Sequence, residues 1–300
     1  MPAGGSFPLS DYFTPYNQDN LNLNDLDLAS GGVLLLPDLP AGSPHQHLLT
    51  TAGKEGTIYL IDRDNMRHYC SGCSSDTQIV QELPGALAGQ WGAPAYWNGN
   101  LYFGSSSQIT KTADHLKAFS FNAGGSGLIS TSPTSQSPET FSMPAVSPSV
   151  SANGNSSGIV WMLDNSAYGR GECCQVLYAY DATDLSKELY NTNQAAGSRD
   201  VPGSAVKFTV PTVTNGKVYV GSQGAITAYS LLSGAPPALS PASLTYSSQQ
   251  VGTPSASQGV TLSNPGSTAL SISGITITGT NSGDFGADRA WRQAAIARSM

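Results

Sequence analysis

The sequence is short of charge. Lys, Arg, Asp and Glu make up 11% of its 300 residues, less than half the share of roughly 25% usual in globular proteins. It has no basic stripe. Thirteen Lys and Arg stand against 20 Asp and Glu, for a net charge of −7, so the electrostatic footprint of a nucleic-acid binder is missing. No apolar run approaches the roughly 18 residues that a membrane-crossing helix needs. Met1-Pro2-Ala3-Gly4-Gly5 carries neither a basic n-region nor an apolar h-region, so it does not read as an export signal. No convincing amphipathic helix is expected before residue 286. There is no phosphate-binding loop and no His-Glu-x-x-His, which leaves the common nucleotide and zinc-protease chemistries without their residues.

What is present is turn and strand. There are 33 Gly and 19 Pro, with Ser and Thr also abundant. That balance suits a turn-rich, all-β, extracytoplasmic protein, and without an export signal it reads as a fragment of a longer chain. The four cysteines form two close pairs, Cys70/Cys73 and Cys173/Cys174, an even count that favours disulfides in such a chain. A third arrangement, four thiolates around zinc, would need them reduced.

One pattern recurs. Ala93-Pro94 leads through Asn98-Gly99 to Leu101–Gly104 and then Leu116–Ser120. Ser147-Pro148 leads through Asn153-Gly154 to Ile159–Trp161 and then Leu177–Asp181. Val210-Pro211 leads through Asn215-Gly216 to Val218–Gly221 and then Ile226–Ser230. Pro94, Pro148 and Pro211 stand 54 and 63 residues apart, a period proper to propeller blades. An upstream copy keeps only its hairpin, His47–Ala52 and Thr57–Asp62. The segment Gly124–Ser147 reads as a long loop across one face. The expected fold is therefore all-β: a partial β-propeller of about four blades over residues 1–232. A linker at 233–239 and a truncated β-sandwich at 240–286 follow, the latter marked by alternating apolar and hydroxyl residues at 270–278. The tail 287–300, with Arg289, Arg292 and Arg298, departs from the style of the domain before it.

The hairpin Gly53-Lys54-Glu55-Gly56-Thr57-Ile58-Tyr59-Leu60-Ile61-Asp62-Arg63 resembles the repeat of pyrroloquinoline-quinone-type, or quinoprotein-like, propellers. The strands at 98–104 and 215–221 fit the same repeat. Residues 1–232 look like the secreted quinoprotein-like propellers of soil bacteria, chiefly acidobacteria. Arg67 stands where that repeat often has a turn glycine, and Trp91, Trp97 and Trp161 do not form the family's regular docking series. Such propellers usually close with more blades than this, so the missing ones would come from the full-length chain. Residues 240–286 resemble Ig-like repeats of the abnormal-spindle/hydin type. Quinoprotein alcohol dehydrogenases stack an adjacent-cysteine disulfide on their quinone. The resemblance therefore makes Cys173 and Cys174 candidate ligands of pyrroloquinoline quinone, with Ca²⁺ beside it. The charged ligands of that site find no match in the sequence. Read instead as structural, Cys70 and Cys73 are expected to cross-link to the 173–174 pair and tie two blades together.

Other candidates carry structural readings beside functional ones. His45 and His47 would share one face of a strand, with Asp38 or Asp62 as a third metal ligand, or simply face solvent. Asn24-Asp25-Leu26-Asp27 offers oxygen ligands but lacks the spacing of a calcium loop, so a polar loop is favoured. Asp62, Asp164 and Asp181 are expected to end strands of different blades and to cap turns. Tyr59, Tyr102, Tyr178 and Tyr219 are expected at one repeat position in the blade cores. No complete catalytic set emerges. The expectation is a non-catalytic exported binding or scaffold module whose partner is a cell-surface protein or polysaccharide. The alternatives are a quinone-dependent dehydrogenase of alcohols or sugars and a polysaccharide-binding propeller.

Overall fold

The structure, a computed structural model, describes residues 9–107, 110, 112–144, 147–170, 173–231, 238–241, 243–264, 270, 272 and 274–286. Most of the expected 233–239 linker and the whole 287–300 tail lie outside the described residues. The chain divides into two units that meet between Tyr229 and Ser230.

Strand β1 (Phe13–Thr14) and helix α1 (Gln18–Leu23) come first. They are followed by β2 (Leu34–Leu35), β3 (Leu48–Ala52), β4 (Ile58–Asp62), β5 (His68–Tyr69) and β6 (Gln81–Leu83). Next come β7 (Ala95–Trp97), β8 (Asn100–Phe103), β9 (Asp114–Ser120) and β10 (Ser135–Phe141). Then β11 (Ser149–Asn153), β12 (Ser156–Asp164), β13 (Val176–Asp181) and β14 (Glu188–Asn191). The unit ends with β15 (Thr212–Thr214), β16 (Lys217–Ser222) and β17 (Ala225–Ser230).

Strands β2-β3-β4-β6, β7-β8-β9-β10 and β11-β12-β13-β14 form three four-stranded sheets, and β15-β16-β17 a three-stranded one. The four-stranded sheets, blades 1 to 3, are antiparallel meanders throughout. The three-stranded sheet is blade 4. First strands β7, β11 and β15 lie beside one another, so successive sheets stand side by side as propeller blades do. The β7–β8 and β15–β16 hairpins turn at Asn98-Gly99 (φ 47° and 79°) and Asn215-Gly216 (φ 50° and 68°). Both residues of each pair are left-handed, which the two-residue hairpin requires and which Asn and Gly tolerate.

Alternation along the strands sends each sheet's two faces into different cores. Leu48, Ile58 and Leu60 of blade 1 meet Leu101, Phe103 and Phe119 of blade 2. The other face of blade 2 sends Tyr102, Leu116 and Phe141 into a core with Val160, Met162 and Tyr180 of blade 3, continuous with Val218 and Val220 of blade 4. The outer face of blade 1, with Leu49, Tyr59 and Ile61, is covered by Phe13, Leu28, Met66 and Ile79.

Several expectations change. Blade 1 is not a lone hairpin, because β2 and β6 complete its sheet. The segment read as a loop, 124–147, contains β10, the outer strand of blade 2. Its Ser137 and Phe141 are buried while Gln136, Pro138 and Thr140 are exposed, and a proline is tolerated on an edge strand. A helix does precede residue 286, but it is six residues long and buries only Leu21. The four tyrosines do not share one position. Tyr59 and Tyr178 lie on third strands, Tyr102 and Tyr219 on second strands.

In the second unit the described residues hold one antiparallel ladder, β18 (Ala238–Ser240) with β19 (Thr261–Ser263). Residues 243–246 and the described residues of 270–278 are outside any ladder.

Candidate functional site

The richest cluster of polar side chains lies where β4 leaves blade 1. Asp62 ends the strand, and its carboxylate does two things. Oδ1 accepts the Asp64 amide at 2.8 Å, and Oδ2 lies 2.8 Å from His45 Nδ1. His47 Nδ1 lies 2.7 Å from Asp64 Oδ2, and Arg63 Nη2 donates to Asp38 Oδ1 at 2.9 Å. His45 and His47 precede β3 rather than lying on it. His45 pairs with Asp62 and His47 with Asp64, and His47 Nε2 also lies 3.9 Å from Asp38 Oδ2, so the two rings do not share one carboxylate.

The turn that follows is pinned from outside. Met66 N donates to Asp11 Oδ2 at 2.7 Å, and the His68 ring stacks on Tyr12 at 4.5 Å. Between these anchors Arg67 adopts φ 68° and His68 φ 55°, a left-handed conformation uncommon outside glycine. A cavity of about 150 Å³ opens here, lined by His45, Asp62, Asn65, Arg67, Gln78, Ile79 and Val80. Arg67 is exposed, and neither its side chain nor that of Asn65 has a hydrogen bond or ion pair among the described residues. Gln78 is held by its Nε2, which donates to Asp76 Oδ1 at 2.9 Å. Its Oε1 is buried and has no partner. Asp76 itself is 1% exposed. Burial pushes its carboxyl above the usual carboxylate range, against the pull of bonds from Gln78 and the Tyr16 amide.

The cysteines pair locally. Cys70 is bonded to Cys73 with Cα atoms 5.6 Å apart, inside the usual span of about 4.4–6.8 Å. Cys173 is bonded to Cys174. The expected cross-blade bridges are thus replaced by links within each couple, and no free thiolate remains for zinc. Cys173 is exposed and Cys174 half-buried. Among the described residues no three His, Cys, Asp or Glu side chains converge as a metal would require. Among the described residues, then, no such cluster offers a seat for the Ca²⁺ that the resemblance implies.

Asp25 and Asp27 close on Lys54 Nζ at 3.0 and 2.7 Å, a salt-bridged loop. Asp164 and Asp181 cap turns through the amides of Ser166 (2.9 Å) and Thr183 (2.8 Å), but both belong to blade 3.

Sequence reasoning missed the groups that join blades. Lys54 Nζ sits 4.8 Å above the Trp91 ring, whose Nε1 donates to Ser106 O at 3.1 Å. Trp97 Nε1 donates to Gly154 O at 2.8 Å, and its ring lies where a Cβ on Gly158 would fall, 2.6 Å away. Tyr102 Oη donates to Ala182 O at 2.7 Å. Asp114 Oδ2 accepts from Lys117 Nζ, Ser105 Oγ and the Ala88 amide. The irregular tryptophan spacing was the only sequence trace of these contacts.

No helix among the described residues is long and apolar enough to cross a membrane. No family model matches the chain, and no curated protein matches it. Among solved structures, the computationally designed Ika4 protein aligns with 61% of this chain and 84% of its own at 11% identity and TM-score 0.37. The computationally designed Ika8 protein aligns with 63% of this chain and 44% of its own, at 13% identity and TM-score 0.36. BamB from Moraxella catarrhalis aligns with 67% of this chain and 46% of its own, at 10% identity and TM-score 0.36. The chain thus spans less than half the length of the latter two.

Proposed function

We propose that the chain is a non-catalytic binding and scaffold module of an exported bacterial protein, built on quinoprotein-like blades with an Ig-like appendage. One observation carries this reading. At the end of blade 1 the carboxylates of Asp62 and Asp64 are engaged with His45 and His47 and in a turn cap, whereas Arg67 lines a cavity with no protein partner among the described residues. Groups left open in a concave site serve a ligand. The two disulfides support an oxidising compartment.

One observation favours a second reading. The Cys173–Cys174 bond matches the adjacent-cysteine ring of quinone-dependent dehydrogenases, which would make the protein an oxidant of alcohols or sugars. The two readings separate on incubation with pyrroloquinoline quinone and Ca²⁺, followed by gel filtration and a dye-reduction assay with alcohols and sugars. The expected outcome is no retained quinone absorbance and no dye reduction. Retained quinone with substrate-dependent reduction would overturn the binding-module reading.

A further inference from the structure

We infer that the blade 1 cavity binds a uronic-acid unit of an acidic saccharide, with Arg67 taking the sugar carboxylate. The inference rests on the binding-module reading and names its ligand class.

Arg67 presents a planar fork of donors that matches a carboxylate, and no described residue occupies it. Its backbone is held left-handed at φ 68°, at a cost of order 1 kcal/mol for a non-glycine residue. A glycine would avoid that cost, so the arginine is explained by what its side chain meets outside the chain. The other lining groups specify a polyhydroxylated neighbour. Gln78, held by its Nε2 bond to Asp76, forms part of the wall. Asn65 offers both a donor and an acceptor. His45 spends Nδ1 on Asp62 and keeps Nε2 for a further hydroxyl. Ile79 and Val80 give an apolar patch suited to the C–H face of a pyranose. The 150 Å³ volume equals that of an engineered cavity of about 150 Å³ that holds benzene, so it accommodates one six-membered ring. The nearby carboxylates Asp62 and Asp64 favour a singly charged ligand over a doubly charged phosphate.

The test is calorimetric titration of the full chain with galacturonate, tri-galacturonate and a neutral galacto-trisaccharide, repeated on Arg67→Gly. Arg67→Gly relieves the left-handed strain, so its melting temperature should hold or rise and lost binding cannot be blamed on unfolding. The acidic trisaccharide should bind at least tenfold tighter than the neutral one, and Arg67→Gly should remove that preference. Comparison of monomer with trimer tells a free sugar acid from a polysaccharide unit. Equal affinity for acidic and neutral sugars, no binding of either acid, or an unchanged Arg67→Gly overturns the inference. Binding of only a neutral glycan or a protein would do so while leaving the module reading intact, whereas quinone-dependent turnover would remove that reading too.

Discussion

Replacing Asp114 by Ala should cost the protein about 3 kcal/mol. Asp114 opens β9, with its side chain 12% exposed and that of its partner Lys117 14%. Its Oδ2 lies 2.8 Å from Lys117 Nζ, 2.7 Å from Ser105 Oγ and 2.9 Å from the Ala88 amide. Lys117 also donates to Ala86 O at 3.2 Å, so this carboxylate ties the chain entering blade 2 to the blade's middle strands. Removing one partner of a buried ion pair costs about 3–5 kcal/mol, because the other charge stays buried alone. The slight exposure of this pair places the loss at the lower end, against a total stability of about 5–15 kcal/mol. Asp114→Ala/Lys117→Met should recover part of the loss by removing the stranded charge. The effect has a pH signature. Burial pushes the Asp114 carboxyl up, but Lys117, Ser105 and the Ala88 and His115 amides outweigh it and hold the group below its ordinary value. A carboxyl lowered in the folded state stabilises fully above its unfolded pKa of about 3.9, and that stability is lost as pH falls through the folded value. The gap between wild type and Asp114→Ala, measured by urea unfolding with tryptophan fluorescence, should be constant from about pH 7 to 5 and shrink below about pH 4. A loss under about 1 kcal/mol, or a gap unchanged at the lowest pH, would refute the reasoning.

Two further substitutions probe the contact between blades 2 and 3. Tyr102→Phe deletes the buried hydroxyl that donates to Ala182 O, and urea unfolding should show a loss of about 1–1.5 kcal/mol. Gly158→Ala places a methyl against the Trp97 ring and the Ala182 Cβ, at 2.6 and 2.8 Å; thermal unfolding should show a loss of about 1–3 kcal/mol, with a shifted Trp97 emission.

The legible parts of the fold were those with local causes. Asn98-Gly99 and Asn215-Gly216 announce hairpins because few other pairs tolerate two left-handed residues in succession. The runs at 58–61 and 101–103 are apolar because both faces of an inner strand are buried. Outer strand β10 was not legible, since Ser135-Gln136-Ser137-Pro138-Glu139-Thr140-Phe141 buries only alternate positions and carries a proline. The capping role of Asp62, Asp164 and Asp181 was readable because it spans two residues. The cysteine connectivity was not, because an even count says nothing about partners. Nor was the cavity, whose lining comes from three separate segments, His45, Asp62–Arg67 and Gln78–Val80. Only the misfit of Arg67 in a glycine-like turn hinted at it.

The cover over the outer face of blade 1 gives the row of sheets a direction. Phe13, Leu28, Met66 and Ile79 already occupy the ground on which a preceding sheet would lie, while at the far end β17 has one strand edge without a partner strand among the described residues and Ile226 is 76% exposed. Such a row resembles a repeat array with a terminator at one end only. Ring closure onto blade 1 would first have to peel away its lid.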